Sequence, residues 1–577
     1  MYKANDMGDS STAAGHPADY SKTVRSTVPA AERRHTPLLV GCFLLLALAS
    51  PPALAESPGA ARPVAGAEVD ALFASWSDTT PGCAVGVSAN GEIVLERAYG
   101  MADLEHGVPN APDTIFEAGS VSKQFTAMAV LLLAADGQLS LEDPVRRYLP
   151  ELPELTAPIT IRQMLQHTSG LRDWGSIGEI AGWPRGSRVY THAHVLDIVA
   201  RQGALNFAPG TRWSYSNSGY NLAAILVSRV SGLPFAEFTR KRIFEPLGMT
   251  RTSWRDDFTR IVEGRAVAYA KRDGTYAMDM PFENVHGNGG LLTTVGDLLR
   301  WNRNFVEPRV GDAALLALAQ TPGRLASGES HGYAFGLAVG RYQGLREIRH
   351  SGTTASYRAY LARFPDAGVS VALLCNAGDS LPRKVLHDVA DLYLADALKP
   401  EPQAERMEPS GIPLEWLAGL YGNTERGDAI RIERDGNGLR LGDTALVELP
   451  EARFTDRDGW FIQFDEHGLA VVDDGSGAPV IFERLRPAQP TAAELESLAG
   501  HYRSDEAEVS LQAEVRDGTL QLRRRPDSVF RLAPLYQDAF ESELGTIIFR
   551  RNEAGRVVAL SVVQDRVWDL RFRREER

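Results

Sequence analysis

Three short segments of the chain combine residue types that can make and break covalent bonds. The first, residues 120–123, reads Ser-Val-Ser-Lys and opens an apolar stretch with a helical pattern. Residues three apart share a helix face, so the Ser120 hydroxyl and the Lys123 amine can meet. The start of a helix also offers free backbone N–H groups, which favour developing negative charge. Burial favours a neutral amine that accepts a proton, so the pair indicates a nucleophilic serine with a lysine base.

The second segment supplies a phenol and an amide in a turn-rich stretch, residues 207–217. A phenol such as Tyr215 can pass a proton between a nucleophile and a leaving group. The side chain of Asn217 can both donate to and accept from a substrate peptide group. These two residues are therefore candidates for proton transfer and substrate binding.

The third segment, His350-Ser351-Gly352-Thr353, follows a strand predicted over 345–349. A cationic or hydrogen-bonding side chain followed by glycine lets a substrate backbone approach a strand edge closely. We therefore expect His350 and Gly352 to contact the substrate. The Thr353 N–H is placed to complete an oxyanion hole with the N–H of Ser120.

Taken in this order, the three segments resemble the motifs of the penicillin-recognising serine hydrolases. That family includes class C β-lactamases, D,D-carboxypeptidases, D-aminopeptidases and related esterases. The resemblance covers residues 66–400. Within that range, segments 161–171 and 289–298 are also similar to the family. It implies an α/β (α+β) β-lactamase-like domain, with a central antiparallel sheet flanked by helices. The roles it implies are nucleophile for Ser120, base for Lys123, proton relay for Tyr215, substrate-amide ligand for Asn217 and start of the third motif for His350.

The third motif discriminates within this family. Class C β-lactamases usually carry Lys-Thr-Gly there, whereas this chain has His-Ser-Gly at 350–352. The resemblance therefore implies a D-stereospecific peptidase or aminopeptidase, or a hydrolase of cell-wall peptides, that works through an acyl-serine. A carboxylesterase of the same fold is the alternative. A non-catalytic ligand-sensing or interaction protein that retains the fold is the alternative from another class.

We expect a small peptide, amide or ester as the partner of the site, with no cofactor and no metal. The pair His192 and His194 could suggest a metal site, but it directly follows Thr191, a residue typical of helix caps. No run of carboxylates or thiolates accompanies it. A loop-anchoring role is similarly expected for His167, and Arg523–Arg525 is interpreted as a solvated edge of the β tail.

Secondary-structure patterns position the three motifs. Asn90-Gly91 predicts a hairpin over 84–100, and the apolar run 125–135, closed by Gly137, predicts a helix buried on all sides. A buried strand is predicted over 369–375. Further helices are predicted over 161–165, 221–231 and 384–397.

The chain changes character after a proline-containing stretch, residues 400–413. Short alternating segments with Asp-Gly and Asn-Gly turns then predict all-β structure. Leu-Ala-Gly-Leu-Tyr at 417–421 returns as Leu-Ala-Gly-His-Tyr at 498–502, which indicates two β-barrel-like copies. The predicted divisions are 1–55, a preface and signal peptide; 56–400, the hydrolase domain; 401–413, a linker; 414–488 and 489–577, the two β domains.

Composition sets limits on the partners. The 577 residues are 44% hydrophobic with a net charge of −13, which is globular and lacks the basic footprint of a nucleic-acid binder. Arg33 and Arg34, an apolar stretch and Ala53–Ala55 predict a secretory signal cleaved after Ala55. We therefore expect an exported, periplasmic or secreted protein without stable membrane insertion of the mature chain. A lipobox-like segment ends at Cys42, but its apolar core follows the cysteine. The oligomeric state stays open.

Two cysteines lie beyond the predicted signal. Cys83 and Cys375 can form a single bridge in an oxidising compartment. The interpretation we favour from the sequence is instead two small buried side chains without a disulfide.

Overall fold

The computed structural model describes ten segments of the chain, all within one compact unit. These are residues 64–155, 157–399, 413–423, 425–436, 438–442, 444–449, 453–455, 461–465, 470–473 and 480–576. The predicted signal peptide, the lipobox-like cysteine Cys42 and nearly all of the predicted linker lie outside the described residues.

The first domain alternates helices and short strands. Its helices are α1 Gly66–Leu72, α2 Lys123–Ala135, α3 Ile161–Leu165, α4 Trp174–Ile180, α5 His192–Ala200, α6 Asn217–Ser231, α7 Phe235–Thr239, α8 Glu245–Leu247, α9 Val295–Arg303, α10 Ala313–Ala319 and α11 Pro382–Leu394. Its strands are β1 Cys83–Ala89, β2 Glu92–Tyr99, β3 Met101–Asp103, β4 Val108–Pro109, β5 Phe116–Glu117, β6 Ser253–Trp254, β7 Tyr269–Arg272, β8 Thr275–Met278, β9 Leu291–Thr293, β10 Ala338–Tyr342, β11 Leu345–Thr354, β12 Tyr357–Phe364 and β13 Val369–Cys375.

The main sheet of residues 64–399 is antiparallel, in the order β10-β11-β12-β13-β1-β2. The predicted hairpin forms β1 and β2, and its turn residues Asn90 and Gly91 have φ of 50° and 85°. Both values are positive, as a two-residue turn of this kind requires. Strand β11 runs five residues further than predicted, because its pairing with β12 continues to Thr354 opposite Tyr357. The third motif therefore lies within a strand rather than after one.

Helix α2 is the buried helix that the apolar run predicts. Every residue from Lys123 to Leu133 is buried, and Gly137 follows with φ of 73°. A single 3-10 turn, Gly119–Ser122, leads directly into it. Helix α6 begins four residues earlier than predicted, because the carboxylate of Asp173 accepts a hydrogen bond from the Asn217 N–H at 2.7 Å. That carboxylate comes from a distant segment, which a local pattern does not reveal.

The main sheet is packed on both faces. Val85, Val371 and Leu373 face a cluster with helices α1 and α11, whereas Ala84 and Leu374 face the larger cluster around α2 and α9. The first and last strands of the domain, β1 and β13, lie side by side at the centre of the sheet.

A disulfide joins these central strands. Cys83 and Cys375 are paired in register, fully buried, and their sulfur atoms are bonded. The sequence interpretation of two unpaired thiols was therefore wrong. It failed because the pairing depends on strands 292 residues apart becoming neighbours.

The described residues from 413 onwards are all-β apart from two short helices, α12 Leu414–Leu417 and α13 Ala492–Leu498. A closed barrel is formed by β14 Gly419–Gly422, β15 Ala429–Asp435, β16 Gly438–Leu441, β17 Thr444–Leu449, β18 Arg453–Thr455, β19 Phe461–Phe464, β20 Ala470–Asp473 and β21 Val480–Leu485. A second, nine-stranded sheet contains β22 Gly500–Ser504, β23 Val509–Arg516, β24 Thr519–Arg524, β25 Ser528–Arg531, β26 Ala533–Pro534, β27 Ala539–Ser542, β28 Gly545–Arg551, β29 Val557–Gln564 and β30 Val567–Arg574.

The sequence repeat is also a structural repeat. The Tyr421 hydroxyl donates to the Leu417 carbonyl at 2.8 Å, and the Tyr502 hydroxyl donates to the Leu498 carbonyl at 2.7 Å. Each bond ties the end of a short helix to the first strand of its β domain. The predicted fold class, a β-lactamase-like domain followed by barrel-like β structure, is confirmed.

The interface between the first domain and the second sheet is held by hydrogen bonds, most of them partly buried. Arg172 donates to Glu506 and to the carbonyl of Asp569, both at 2.5 Å. Arg524 donates to the carbonyls of Glu179 and Ile180, at the end of α4. Arg524 thus belongs to an interface, in contrast to the solvated edge expected from the sequence.

Across the described segments, no single helix combines the length and apolar character needed to cross a membrane. Helix α6 and the segment Phe235–Leu247 meet that requirement only as a pair, by length and composition, with a 79° bend between them.

The disulfide leads to a chemical prediction. When the mature chain, residues 56–577, is recovered from an oxidising compartment and unfolded without reductant, iodoacetamide should modify no cysteine, and after reduction it should modify both Cys83 and Cys375. Because the bridge closes a loop of about 290 residues, reduction should lower the free energy of unfolding by up to about 5 kcal/mol. Mass spectrometry and denaturant unfolding measure the two effects. Two modified cysteines before reduction would contradict the pairing.

Candidate active site

The turn before α2 presents one hydroxyl to the solvent. Between Thr114 and Leu133, Ser120 is the residue with partial exposure, and the others are buried. The turn is held from behind by Ser122, whose hydroxyl donates to the Gly119 carbonyl at 2.5 Å and accepts from the Leu291 N–H at 3.1 Å. Ser120 is thus a partly exposed hydroxyl on a buried support.

The Lys123 amine lies directly below this hydroxyl. Its Nζ is 3.1 Å from Ser120 Oγ, 2.8 Å from Asn217 Oδ1 and 2.8 Å from the Asn288 carbonyl oxygen. Burial lowers the pKa of Lys123 well below its ordinary value, and the positive charge of Arg566 acts in the same direction. A neutral amine has two N–H donors and one lone pair. The two carbonyl-type oxygens accept the two donors, which leaves the lone pair for the hydroxyl proton of Ser120.

Tyr215 forms another wall of the site. The centroid of its ring is 4.7 Å from Lys123 Nζ and 4.9 Å from Arg566 Cζ. Burial raises the pKa of Tyr215 to about 12, although a hydrogen bond with the Ser120 side chain and the charge of Arg566 oppose the rise. The phenol is therefore protonated at neutral pH and is available as a proton donor.

His167 fixes the loop that carries Tyr215. Burial lowers the pKa of His167 well below its ordinary value, so the ring is neutral and Nδ1 can accept a hydrogen bond. It accepts from the Ser216 N–H at 3.2 Å, and the His167 carbonyl accepts from the Ser214 N–H at 3.0 Å. The ring centroids of His167 and Tyr215 are 4.3 Å apart. The expected loop-anchoring role of His167 matches these contacts.

Asn217 connects the site to the start of helix α6. Its backbone N–H donates to Asp173 Oδ2, while its Oδ1 accepts from Lys123. Asp173 also caps α4 by accepting from the N–H groups of Gly175 and Ser176. With Oδ1 engaged by the lysine, the Nδ2 group of Asn217 is the one available to a ligand.

His350 is held as a neutral ring beside the site. Burial lowers the pKa of His350 to about 3, and Lys123 in its protonated state adds to this effect. A neutral ring has one donor and one acceptor nitrogen. Nδ1 is 2.6 Å from the Ser351 carbonyl and donates to it, so Nε2 accepts from the Tyr333 hydroxyl at 2.9 Å. The sequence left open a cationic His350, but the structure supports only the hydrogen-bonding form.

Two glycines bring strand β11 against the serine turn. A Cβ atom on Gly119 would lie 2.6 Å from the Thr353 nitrogen, and one on Gly352 would lie 2.0 Å from the Ala118 carbonyl oxygen. Both distances are too short for any side chain. The space left by Gly352 is thus filled by the serine turn rather than by the cleft. This contact places the Thr353 amide beside Ser120.

The predicted groups meet at one cleft with a volume of about 930 Å³. Ser120, Tyr215, Asn217, His350 and Thr353 line it, with Lys123 beneath. Beyond Arg349, strand β11 continues past its pairing with β10, so residues 350–354 form an open strand edge beside the cleft. An extended peptide can pair with such an edge.

Other lining residues were not found from the sequence. Asn288 directly precedes the family-like segment 289–298, a weak signal. The sequence gives no signal for Arg185 or Arg566. A loop after α4 and the turn between β29 and β30 bring these two arginines to the cleft, which no local pattern indicates.

The histidine pair in α5 has structural partners. Thr191 caps the helix, with His194 Nδ1 3.1 Å from the Thr191 nitrogen, and His192 Nε2 is 2.9 Å from the His286 carbonyl oxygen.

The chain is similar in sequence and in structure to known proteins. The family model described as Beta-lactamase matches residues 69–396. A D-aminopeptidase of Cereibacter sphaeroides is 28% identical over 449 residues, covering 76% of this chain and 82% of the relative. Penicillin-binding protein 4* of Bacillus subtilis is 30% identical over 301 residues, 50% of this chain and 66% of the relative. The octameric penicillin-binding protein homologue from Pyrococcus abyssi aligns with a TM-score of 0.53 at 22% identity, covering 80% of this chain and 98% of that one.

The neutral state of His350 predicts an effect of pH on stability. In the unfolded chain an imidazole binds a proton below its ordinary pKa of 6.5, whereas folded His350 stays neutral to about pH 3. The unfolded state therefore binds more protons in this window, and the contribution of His350 is lost as the pH falls from 6.5 towards 3. Between pH 6.5 and 4.5 the loss should be about 2 kcal/mol.

The variant His350→Gln keeps an acceptor for Tyr333 but does not titrate. Urea unfolding at several pH values should show a weaker loss of stability on acidification than in the parent. His501→Gln, which replaces an exposed histidine of strand β22, is the control and should keep the parent slope. Equal slopes for His350→Gln and the parent would contradict a neutral His350.

Proposed function

Because this chain belongs to the beta-lactamase family, we propose that it is a serine hydrolase that cleaves an amide or ester through an acyl-enzyme on Ser120. The observation that carries the proposal is the contact between Lys123 Nζ and Ser120 Oγ at 3.1 Å, with the amine fully buried. A nucleophilic serine needs a base within hydrogen-bond reach whose pKa suits neutral pH. Lys123 lies within that reach, and burial lowers its pKa well below the ordinary value.

Lys123 rather than Tyr215 takes the serine proton in this mechanism. A phenol with a pKa of about 12 is ionised in roughly one molecule in 10⁵ at pH 7, so it is a poor base. Ser120 Oγ bonds to the substrate carbonyl carbon as its proton moves to Lys123 Nζ. The new ammonium is stabilised by the two oxygens of Asn217 and Asn288. Tyr215 then donates its proton to the leaving group and regains one from Lys123.

The developing oxyanion is held by the N–H groups of Ser120 and Thr353, which the glycine contact brings close together. Asn217 Nδ2 donates to the substrate amide, and the open edge of residues 350–354 aligns an extended substrate. Attack of water on the acyl-enzyme releases the product and restores Ser120. The groups given these roles lie at the cleft, where they can reach a bound substrate.

For the substrate we propose a D-amino-acid peptide or a cell-wall peptide. Support comes from the similarity to a D-aminopeptidase and to a penicillin-binding protein, and from histidine in the third motif. A small ester uses the same groups, so a carboxylesterase differs from a peptidase only in the substrate it turns over fastest.

We also propose that the protein is exported. The predicted signal at residues 1–55 supports this, and so does the buried disulfide, because such bonds persist in oxidising compartments. Amino-terminal sequencing of protein recovered from the periplasm or medium should begin at Glu56. A mature chain that still carries residues 1–55 would contradict the proposed cleavage.

The nucleophile is tested by covalent labelling. The parent should react with a fluorophosphonate or penicillin probe, and Ser120→Ala should lose both labelling and turnover, because the hydroxyl is the attacking group. Turnover is measured on 4-nitrophenyl esters, D-amino-acid anilides and a chromogenic cephalosporin. Ser351→Ala, which removes another hydroxyl of the cleft, should still label. Labelling that persists in Ser120→Ala would exclude this serine, and a parent that turns over none of the panel would favour a non-catalytic protein.

A further inference from the structure

The cleft beside Ser120 is rich in positive charge. Among the residues that the structure describes, six cationic side chains and two carboxylates line it. The cations are Arg185, Arg349, Arg383, Lys384, Arg426 and Arg566, and the carboxylates are Asp428 and Asp565. Three of the cations have carboxylate partners outside the lining: Glu347 for Arg349, Asp388 for Lys384 and Glu283 for Arg185. Arg185 and Arg566 are the two whose charges act on both Lys123 and Tyr215.

Arg566 is delivered to the cleft by the second β sheet. It lies in the turn between β29 and β30, and its carbonyl accepts hydrogen bonds from the Asp173 N–H at 3.3 Å and Asn206 Nδ2 at 3.0 Å. These bonds fix the turn against the first domain. The guanidinium then lies over the Tyr215 ring.

The carboxylate next to Arg566 is weakly engaged with it. Asp565 is 3.7 Å from Arg566 Nε, is 78% exposed, and is bound more closely by Arg426 at 2.8 Å. A guanidinium has five N–H donors. Arg566 therefore retains donors for a ligand in the cleft.

Arg185 reaches the cleft from the first domain at the end of a buried chain of charges. Glu283 accepts from its Nε and Nη2, and Arg255 Nη2 lies 3.8 Å from Glu283. Arg255 in turn pairs with Glu117 at 2.8 Å, and Arg265 lies 3.3 Å from Glu117. Three arginines and two glutamates leave one excess positive charge in this chain. Its cleft end, Arg185, is about one-third exposed.

Both arginines act on the reacting groups. Their charges lower the pKa of Lys123 and oppose the rise in the pKa of Tyr215, so they lie within electrostatic range of the bond to be broken. A substrate carboxylate that contacts either guanidinium would form charge-assisted hydrogen bonds, whereas an ammonium group would be repelled.

We propose that Arg185 and Arg566 form an anion-binding subsite, so that the preferred substrate carries a carboxylate near the scissile bond. This inference rests on the proposed function and narrows it. It selects peptides or esters with a free carboxylate over those with a free amino terminus. The specificity would then be set partly by a residue of the C-terminal β sheet.

The test compares two esters of equal length with the same leaving group, 4-nitrophenyl hydrogen glutarate and 4-nitrophenyl pentanoate. In the parent, kcat/KM for the anionic ester should exceed that for the neutral ester by roughly tenfold at low salt. Arg566→Gln should lower this ratio roughly tenfold, and Arg566→Lys should keep most of it. The ratio is the readout because Arg566 also changes the pKa of Lys123, which affects both esters alike. Arg573→Gln, an exposed cation of the same sheet, should leave the ratio unchanged.

Binding without turnover separates this inference from the proposed function. Ser120→Ala should bind the glutarate ester more tightly than the pentanoate ester in isothermal titration calorimetry, and Arg566→Gln in that background should remove the difference. Equal binding of the two esters to Ser120→Ala would overturn the subsite, even where the parent hydrolyses both. A binding preference in a parent that hydrolyses neither ester would support the subsite and contradict the hydrolase. Arg185→Gln is a second variant, but it leaves buried Glu283 without its partner, so Arg566→Gln is decisive.

Discussion

The buried amine below Ser120 is the group on which the rest of the site depends. An ammonium in that position would need a carboxylate in contact, because burial of an unpaired charge is costly. Lys123 instead has two uncharged oxygens and a hydroxyl as its partners. That environment suits a neutral amine, which is the state that the proposed nucleophilic role of Ser120 requires.

Keeping those partners in place constrains much of the first domain. Asn217 begins α6, which packs against α2, and Asn288 lies in the loop before β9. Asp173 fixes the first residue of α6 and the turn of Arg566 through separate hydrogen bonds. Strand β11 touches the turn that carries Ser120 through two glycines, Gly119 and Gly352. One methyl group added at either glycine would push the strand and the turn apart. Distant segments therefore converge around one lysine.

Local patterns predicted the parts of this arrangement that are themselves local. The Asn90-Gly91 turn, the buried helix after Ser120 and the strand Val369–Cys375 follow from turn chemistry and apolar runs, and the structure has all three. Ser120 and Lys123 could be linked because three residues on a helix bring side chains together. Tyr215 and His350 could be joined to them only through a family resemblance.

The contacts that depend on topology were not predictable in this way. The Cys83–Cys375 bridge requires β1 and β13 to be neighbours, and their order in the sheet is not visible in either strand. Arg566 lies more than 440 residues from Ser120 in the chain and reaches the cleft because the second sheet docks on α4 and the Asp173 loop. The sequence around Arg566 is typical of an exposed hairpin, so it does not indicate that this arginine reaches the cleft.

The ionisation of Lys123 can be measured directly by NMR in protein labelled with ¹³C at the lysine ε carbons. The chain has seven lysines, and Lys123→Arg identifies the resonance of interest. We expect that resonance to titrate well below the ordinary pKa of 10.5. A Lys123 resonance that stays in the charged form up to pH 10 would contradict the account.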